Sequence, residues 1–157
     1  SWPMLVAARR RPRSRNGHLD LALAPMKILP VRSGNFDVVV AHGIWNLARS
    51  GAQFRQAVRE AARVCRKGAG LFLFTFSRNT LPADAAPVPG ETFVFTQFSG
   101  ERQCFLTEEE LVLELGSCGF VQDPSGSLTE HNRRRPEDLG AIRGPVIFEG
   151  TFRFTPA

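Results

Sequence analysis

No apolar run in this chain of 157 residues approaches the roughly 18 residues needed to cross a membrane as a helix. Trp2 to Ala8 is too short, and it precedes the arginines, the reverse of a signal peptide's order. Cysteine is scarce: Cys65, Cys104 and Cys118 are odd in number, widely spaced and without a CxxC pair, which argues against a zinc site. Cys65 and Cys118 fall near helix ends beside apolar positions and read as small buried hydrophobes. No HExxH, EF-hand or Gly-x-Ser-x-Gly element occurs, and Asp123, Glu130 and His131 follow no triad order. These absences predict no metal, no membrane association and a reducing, cytoplasmic setting.

Acid is missing from residues 1 to 17, where Arg9, Arg10, Arg11, Arg13 and Arg15 supply five of the 20 basic residues. The remaining 15 basic residues balance the 15 acidic ones, so the net charge of +5 belongs to this segment. No aromatic interleaving or recognition helix accompanies the arginines, so nucleic acid is not the expected partner and the segment reads as solvated. Residues 1 to 20 are expected to be an irregular basic tail, and 21 to 157 one α/β domain. Leu19 to Leu23 reads as a short edge strand or a connection.

What is present is a strand–helix–strand pattern between Leu29 and Arg78. Ser33-Gly34-Asn35 supplies a turn. Phe36 to Ala41 is short, β-branched and apolar, as expected of a strand covered on both faces. Phe54, Ala57, Val58, Ala61 and Val64 or Cys65 recur at helical spacing between Gln53 and Cys65, and Gly68 is placed to end that helix. Leu71 to Phe76 is the next covered strand. Two such strands around one helix predict a parallel βαβ unit.

Beyond it, residues 79 to 105 are punctuated by Pro82, Pro87, Pro89, Gly90 and Gly100, with a brief strand at Phe93 to Phe98. Thr107 and Glu110 form a capping box for a helix from Glu108 to about Ser117, which buries Leu111 and Leu115 and ends at Gly119. A strand at Phe120-Val121 or around Ser127 to His131 should pair with Val146 to Phe154, whose side chains alternate. Arg133 to Pro136 reads as an exposed loop.

The segment resembles the second half of a class I S-adenosylmethionine-dependent methyltransferase. The matching elements are Leu29-Pro30-Val31, Phe36-Asp37-Val38-Val39-Val40 and Arg66-Lys67-Gly68-Ala69-Gly70. Less specific matches follow at Leu106 to Leu111 and Cys118 to Phe120, so the likeness spans about positions 25 to 154. The resemblance implies an α/β fold: an incomplete Rossmann-like sheet, mostly parallel with a C-terminal antiparallel strand pair. It further implies methyl transfer to a small molecule, with S-adenosylmethionine as cofactor and residues 79 to 105 covering the substrate. The alternative for that segment is a packed connection whose phenylalanines fill core space.

Ligands in open α/β sheets bind beyond the carboxyl ends of the strands, here Ala41 to Asn46. The cofactor-binding candidates are Met26, Ala41, His42, Gly43 and Trp45. The catalytic candidate is His42, as a base when the nucleophile must lose a proton. The bland alternatives are a helix-capping His42 and a Trp45 that packs in the core. Asp37, at the start of its strand, is expected to anchor local structure. By the resemblance an acidic residue should stand at position 25 to contact adenine, but Pro25 offers neither charge nor donor, and Asp20 has the wrong spacing to replace it. Before Pro25 only Gly17 is present, so the glycine-rich loop that follows the family's first strand is absent. Gly68-Ala69-Gly70 is no substitute, because it lies between a helix and a strand rather than before a helix. The cofactor is therefore expected to bind weakly or not at all. The alternative function is a non-catalytic scaffold or partner-binding domain.

Overall fold

The computed structural model describes residues 1–10, 19–97, 100–133 and 144–156. Helix α1 spans Trp2–Arg10, β1 Phe36–His42, α2 Gly51–Val64, β2 Cys65–Phe76, β3 Val94–Gln97 and β4 Glu101–Cys104. Helix α3 spans Glu108–Gly116, β5 Phe120–Gln122, β6 Thr129–His131 and β7 Ile147–Phe154. Strands β1 and β2 pair in parallel, with Val40 opposite Phe72 and His42 opposite Phe74. The connecting helix α2 completes the expected βαβ unit. Strand β7 then lies antiparallel to β2 and also carries β5 and β6 antiparallel on its other side. Both candidate partners of β7 therefore form. The α/β class and Rossmann-like sheet stand, but the sheet is mixed: its parallel part is the β1–β2 pair, and β7 inserts between β2 and β5.

One face of this sheet carries the core. Ala41, Leu71, Leu73, Phe148 and Phe152 alternate onto it and pack with Phe54, Ala57, Val58 and Ala61 of α2 and Leu111 and Leu115 of α3. Alternation in the strands and helical spacing in α2 thus point one apolar set at the other. Burying a side chain such as Phe54 contributes about 1.5–3 kcal/mol. Ser50 caps α2, its hydroxyl accepting from Gln53 N at 3.2 Å. The Thr107–Glu110 capping box of α3 forms as expected.

Three expectations need correction. Residues 1 to 20 are not irregular throughout, because Trp2–Arg10 is helical. Its alanines, Leu5 and arginines are good helix formers, and Pro3 sits in the first turn, where its missing N–H costs nothing. Arg11, Arg13 and Arg15 lie outside the described residues, as do Arg134, Arg135 and Pro136. Leu19 to Leu23 forms no regular element, so of its two readings the connection stands. Gly68 does not stop the helix: α2 ends at Val64 and β2 begins at once. The positive φ of Gly68, 81°, instead serves an irregularity where the register jumps between Phe36 and Val38. Finally, β1 is not covered on both faces. Val38 and Val40 are 59% and 62% exposed, because α2 packs on the opposite face and no described element covers theirs.

Segment 29–33 is tied to α2 by a polar clasp. Glu60 Oε1 accepts from Leu29 N at 2.6 Å, and Arg63 donates to Glu60, to Ser33 Oγ and to the carbonyls of Leu29 and Val31. Hydrogen bonding to Arg63, opposed by desolvation and reinforced by the Leu29 amide, lowers the Glu60 pKa to about 2.

Candidate functional site

The parallel pair fixes one carboxyl end, and Ala41 to Asn46 leaves β1 there. Ala41 is buried in the core, whereas His42 is exposed and lays its ring on Phe74, centroids 4.4 Å apart and 13° from parallel. Gly43 turns the chain with φ 62° while its N–H donates to Phe74 O at 3.0 Å. That left-handed backbone favours glycine, and a Cβ there would meet only the Phe74 ring, at 3.7 Å. A 3-10 turn follows at Trp45–Leu47. Trp45 is 3% exposed and meets Phe54 edge-on at 6.1 Å, so its ring is core. Met26 is half-buried against the same core cluster. The exposed part of the rim is thus His42, Ile44 and Leu47, with Gly43 half-buried between them.

Neighbouring elements wall this end. Cys104 of β4 donates through Sγ to Ala48 O at 3.3 Å, and Arg49 pairs with Glu101 at 2.9 Å. The β3–β4 hairpin therefore borders the turn after β1. Its phenylalanines are not free for a ligand. Phe93, Phe95 and Phe105 are buried, and Phe95 and Phe105 build a small second core with Leu81. The 79 to 105 segment is both a wall and a packed connection. Burial pushes the Cys104 thiol up to about 12 and raises Cys65 as well. The amino end of α2 holds no free anion site, since Gly51 N donates to Glu91 Oε2 at 2.9 Å and Ser50 takes Gln53 N.

Other polar groups stand apart from this rim. Asp37 pairs with Arg66 near the start of β1, the anchoring role expected of it. Ser77, just past β2, donates to Glu130, which also accepts from Asn79 Nδ2 at 2.8 Å. Asp123 accepts from Ser125 and Arg153, and these bonds, with the Ser125 hydroxyl foremost, hold its carboxyl below the usual range. Among the described residues no cluster of His, Cys, Asp or Glu is arranged for a metal, and no helix is long and apolar enough to cross a membrane.

Sequence reasoning did not single out Asn46. Its side chain is 2% exposed, and its Oδ1 has no hydrogen-bond partner among the described residues. A buried, unsatisfied amide oxygen calls for a partner, and this one lies three residues past Gly43. Its position after the strand was visible in the sequence, but its burial follows from how the 3-10 turn packs.

A family profile described as "Methyltransferase domain" matches residues 1–74. Comparison with curated proteins finds no match. Among solved structures, a SAM-dependent methyltransferase from Methanosarcina mazei superposes with a TM-score of 0.68 at 19% identity, covering 97% of this chain and 76% of its own. The 1,6-didemethyltoxoflavin-N1-methyltransferase of Burkholderia thailandensis, with bound 1,6-didemethyltoxoflavin and S-adenosylhomocysteine, gives 0.56 at 16%, covering 85% of this chain and 49% of its own. The cyclase SpnF gives 0.60 at 18%, covering 88% and 57%. The chain thus spans about half the length of the last two. Over residues 1–74 the chain matches the methyltransferase domain, and its fold is that of the class I S-adenosylmethionine-dependent methyltransferases.

Proposed function

We propose that this chain takes S-adenosylmethionine at the carboxyl end of β1, and that methyl transfer to a small molecule is the chemistry of the site. The observation that carries this reading is the segment Ala41 to Asn46. A glycine at φ 62° there follows an exposed histidine and precedes a buried amide with an unsatisfied oxygen. Met26, Ala41, His42, Gly43 and Trp45 are the residues proposed to hold the cofactor. Gly43 keeps the backbone open to close approach, while Ala41, Met26 and Trp45 act from the core side. The cofactor supplies a methyl group already activated on a sulfonium, so alignment rather than bond polarisation is the protein's main task. His42 takes the proton when the nucleophile carries one. A small-molecule acceptor is in keeping with the 1,6-didemethyltoxoflavin bound in the Burkholderia structure.

The grip is weak. Among the described residues no strand with a glycine-rich turn precedes Phe36, and Pro25 offers no charged acceptor. One lost hydrogen bond to a charged group removes about 1.5–3 kcal/mol, roughly ten- to more than a hundredfold in affinity. A second reading, a non-catalytic scaffold, is favoured by the exposed Val38 and Val40. Transfer of a labelled methyl group to a panel of small nucleophiles separates the two. Turnover reduced by His42→Ala supports the enzyme, and none at millimolar cofactor supports the scaffold. The free cysteines fit a cytoplasmic setting.

A further inference from the structure

We infer that the methyl acceptor is a small amine, held through its N–H groups by Asn46, Thr75 and Glu130 at the carboxyl end of β2. The recognition follows from the side chains alone, and only the fate of the amine rests on the methyl-transfer reading. Alternate residues of β2 face the core. Ala69, Leu71 and Leu73 are apolar and no more than 2% exposed. Thr75 and Ser77 continue that row and are both 0% exposed, yet they are polar. A polar group in such a place costs free energy unless it is paired. Ser77 is paired, donating to Glu130 and accepting from Asn79 N at 3.1 Å. Thr75 Oγ1 has no hydrogen-bond partner among the described residues. Glu130 lies on the same face, since it stands opposite Phe148, which stands opposite Thr75.

The switch from apolar to polar falls where ligands of open α/β sheets bind. A second orphan joins it. Asn46 belongs to the 3-10 turn that borders β2, and its Oδ1 also has no partner among the described residues. Departures of this kind from core chemistry are expected at functional sites. The three groups share one preference. An amide oxygen and a carboxylate only accept hydrogen bonds, and a threonine hydroxyl accepts as well as donates. A hydroxyl compound brings one donor to this set, whereas an amino group brings two. The strip reaches solvent through Glu130, whose side chain is 14% exposed beside the exposed Asn79 and Arg133, which donate to it at 2.8 and 3.4 Å. The 3-10 turn carrying Asn46 is three residues long. Such turns have poor hydrogen-bond geometry, and the amine reaches the buried oxygens by displacing this one. On transfer the nitrogen lone pair takes the methyl group, the S–C bonding pair returns to sulfur, and the displaced proton goes to His42.

The test is titration of the full chain with aniline, phenol and toluene, read by amide chemical shifts that include the Asn46 side chain. The three probes share a shape and offer two donors, one and none. Aniline is expected to bind at least about fivefold more tightly than phenol and about tenfold more tightly than toluene. Thr75→Val keeps the shape and removes the hydroxyl. It is expected to leave Tm unchanged or raised, because an unpartnered polar group is lost, and to weaken aniline about fivefold or more. Thr75→Ser is expected to retain the preference for aniline. Glu130→Gln exchanges a charged acceptor for a neutral one and is expected to weaken aniline as well. Equal affinity for the three probes overturns the inference. So does a Thr75→Val chain that melts lower and binds aniline as before, since the hydroxyl is then structural. A preference for aniline in a chain that does not bind S-adenosylhomocysteine overturns methyl transfer but not the recognition. Binding of S-adenosylhomocysteine without that preference overturns the inference alone.

Discussion

Glu60→Gln removes the charge at the centre of the clasp that holds Leu29 to Ser33 on α2, and its cost can be worked from the contacts. The carboxylate accepts from Leu29 N at 2.6 Å and from Arg63 Nε and Nη2 at 2.8 and 2.7 Å. The Arg63 side chain is 36% exposed, so the ion pair contributes no more than about 1 kcal/mol. Glutamine still accepts one bond from Leu29, and replacing a charged acceptor by a neutral one costs about another 1 kcal/mol. The expected loss is about 1–2 kcal/mol, a fall in Tm of roughly 3–6 °C for a domain of this size. The pH dependence has a definite sign. The folded pKa, about 2, lies below the ordinary value of 4.5. The stabilisation is therefore complete above about 4.5 and is lost as pH falls toward 2. Thermal melts of both proteins should differ at pH 7 and converge on acidification. Equal Tm values at pH 7, or a gap unchanged near pH 2.5, refute the reasoning.

Three further outcomes are expected. Phe54→Ala empties a site shared by α2, Trp45 and Phe93 and should cost about 3–5 kcal/mol in denaturant unfolding. Thr107→Ala removes the hydroxyl that accepts from Glu110 N and should cost about 1 kcal/mol. A thiol reagent added at neutral pH should label Cys118 first. Cys104 and Cys65 are buried with raised pKa values, and should react at rates set by unfolding.

The parallel βαβ unit was legible because its signals are local: two apolar runs around one helical period, and Thr107 with Glu110 at a helix start. The exposed face of β1 was not. Val38 and Val40 read as buried in any strand of that composition, and only the packing shows that no described element covers their face. Gly68 misled because a glycine with positive φ suits both a helix stop and a strand irregularity, and choosing between them requires the register with β1. At the candidate site the sequence pointed to the segment after β1 but not to which of its side chains are buried. Trp45 packs on Phe54, and His42 is left on the surface against Phe74. Asn46 looked ordinary until its burial and its unsatisfied oxygen were visible.

Titration of the unmodified chain with S-adenosylhomocysteine tests the account most directly, using calorimetry for affinity and amide chemical shifts for position. Saturable binding is expected with a dissociation constant above about 100 μM, with shifts concentrated at Met26 and at Ala41 to Asn46. Micromolar binding would show that residues beyond these supply much of the grip. Shifts centred elsewhere, or none at millimolar ligand, would contradict the placement of the site at the carboxyl end of β1.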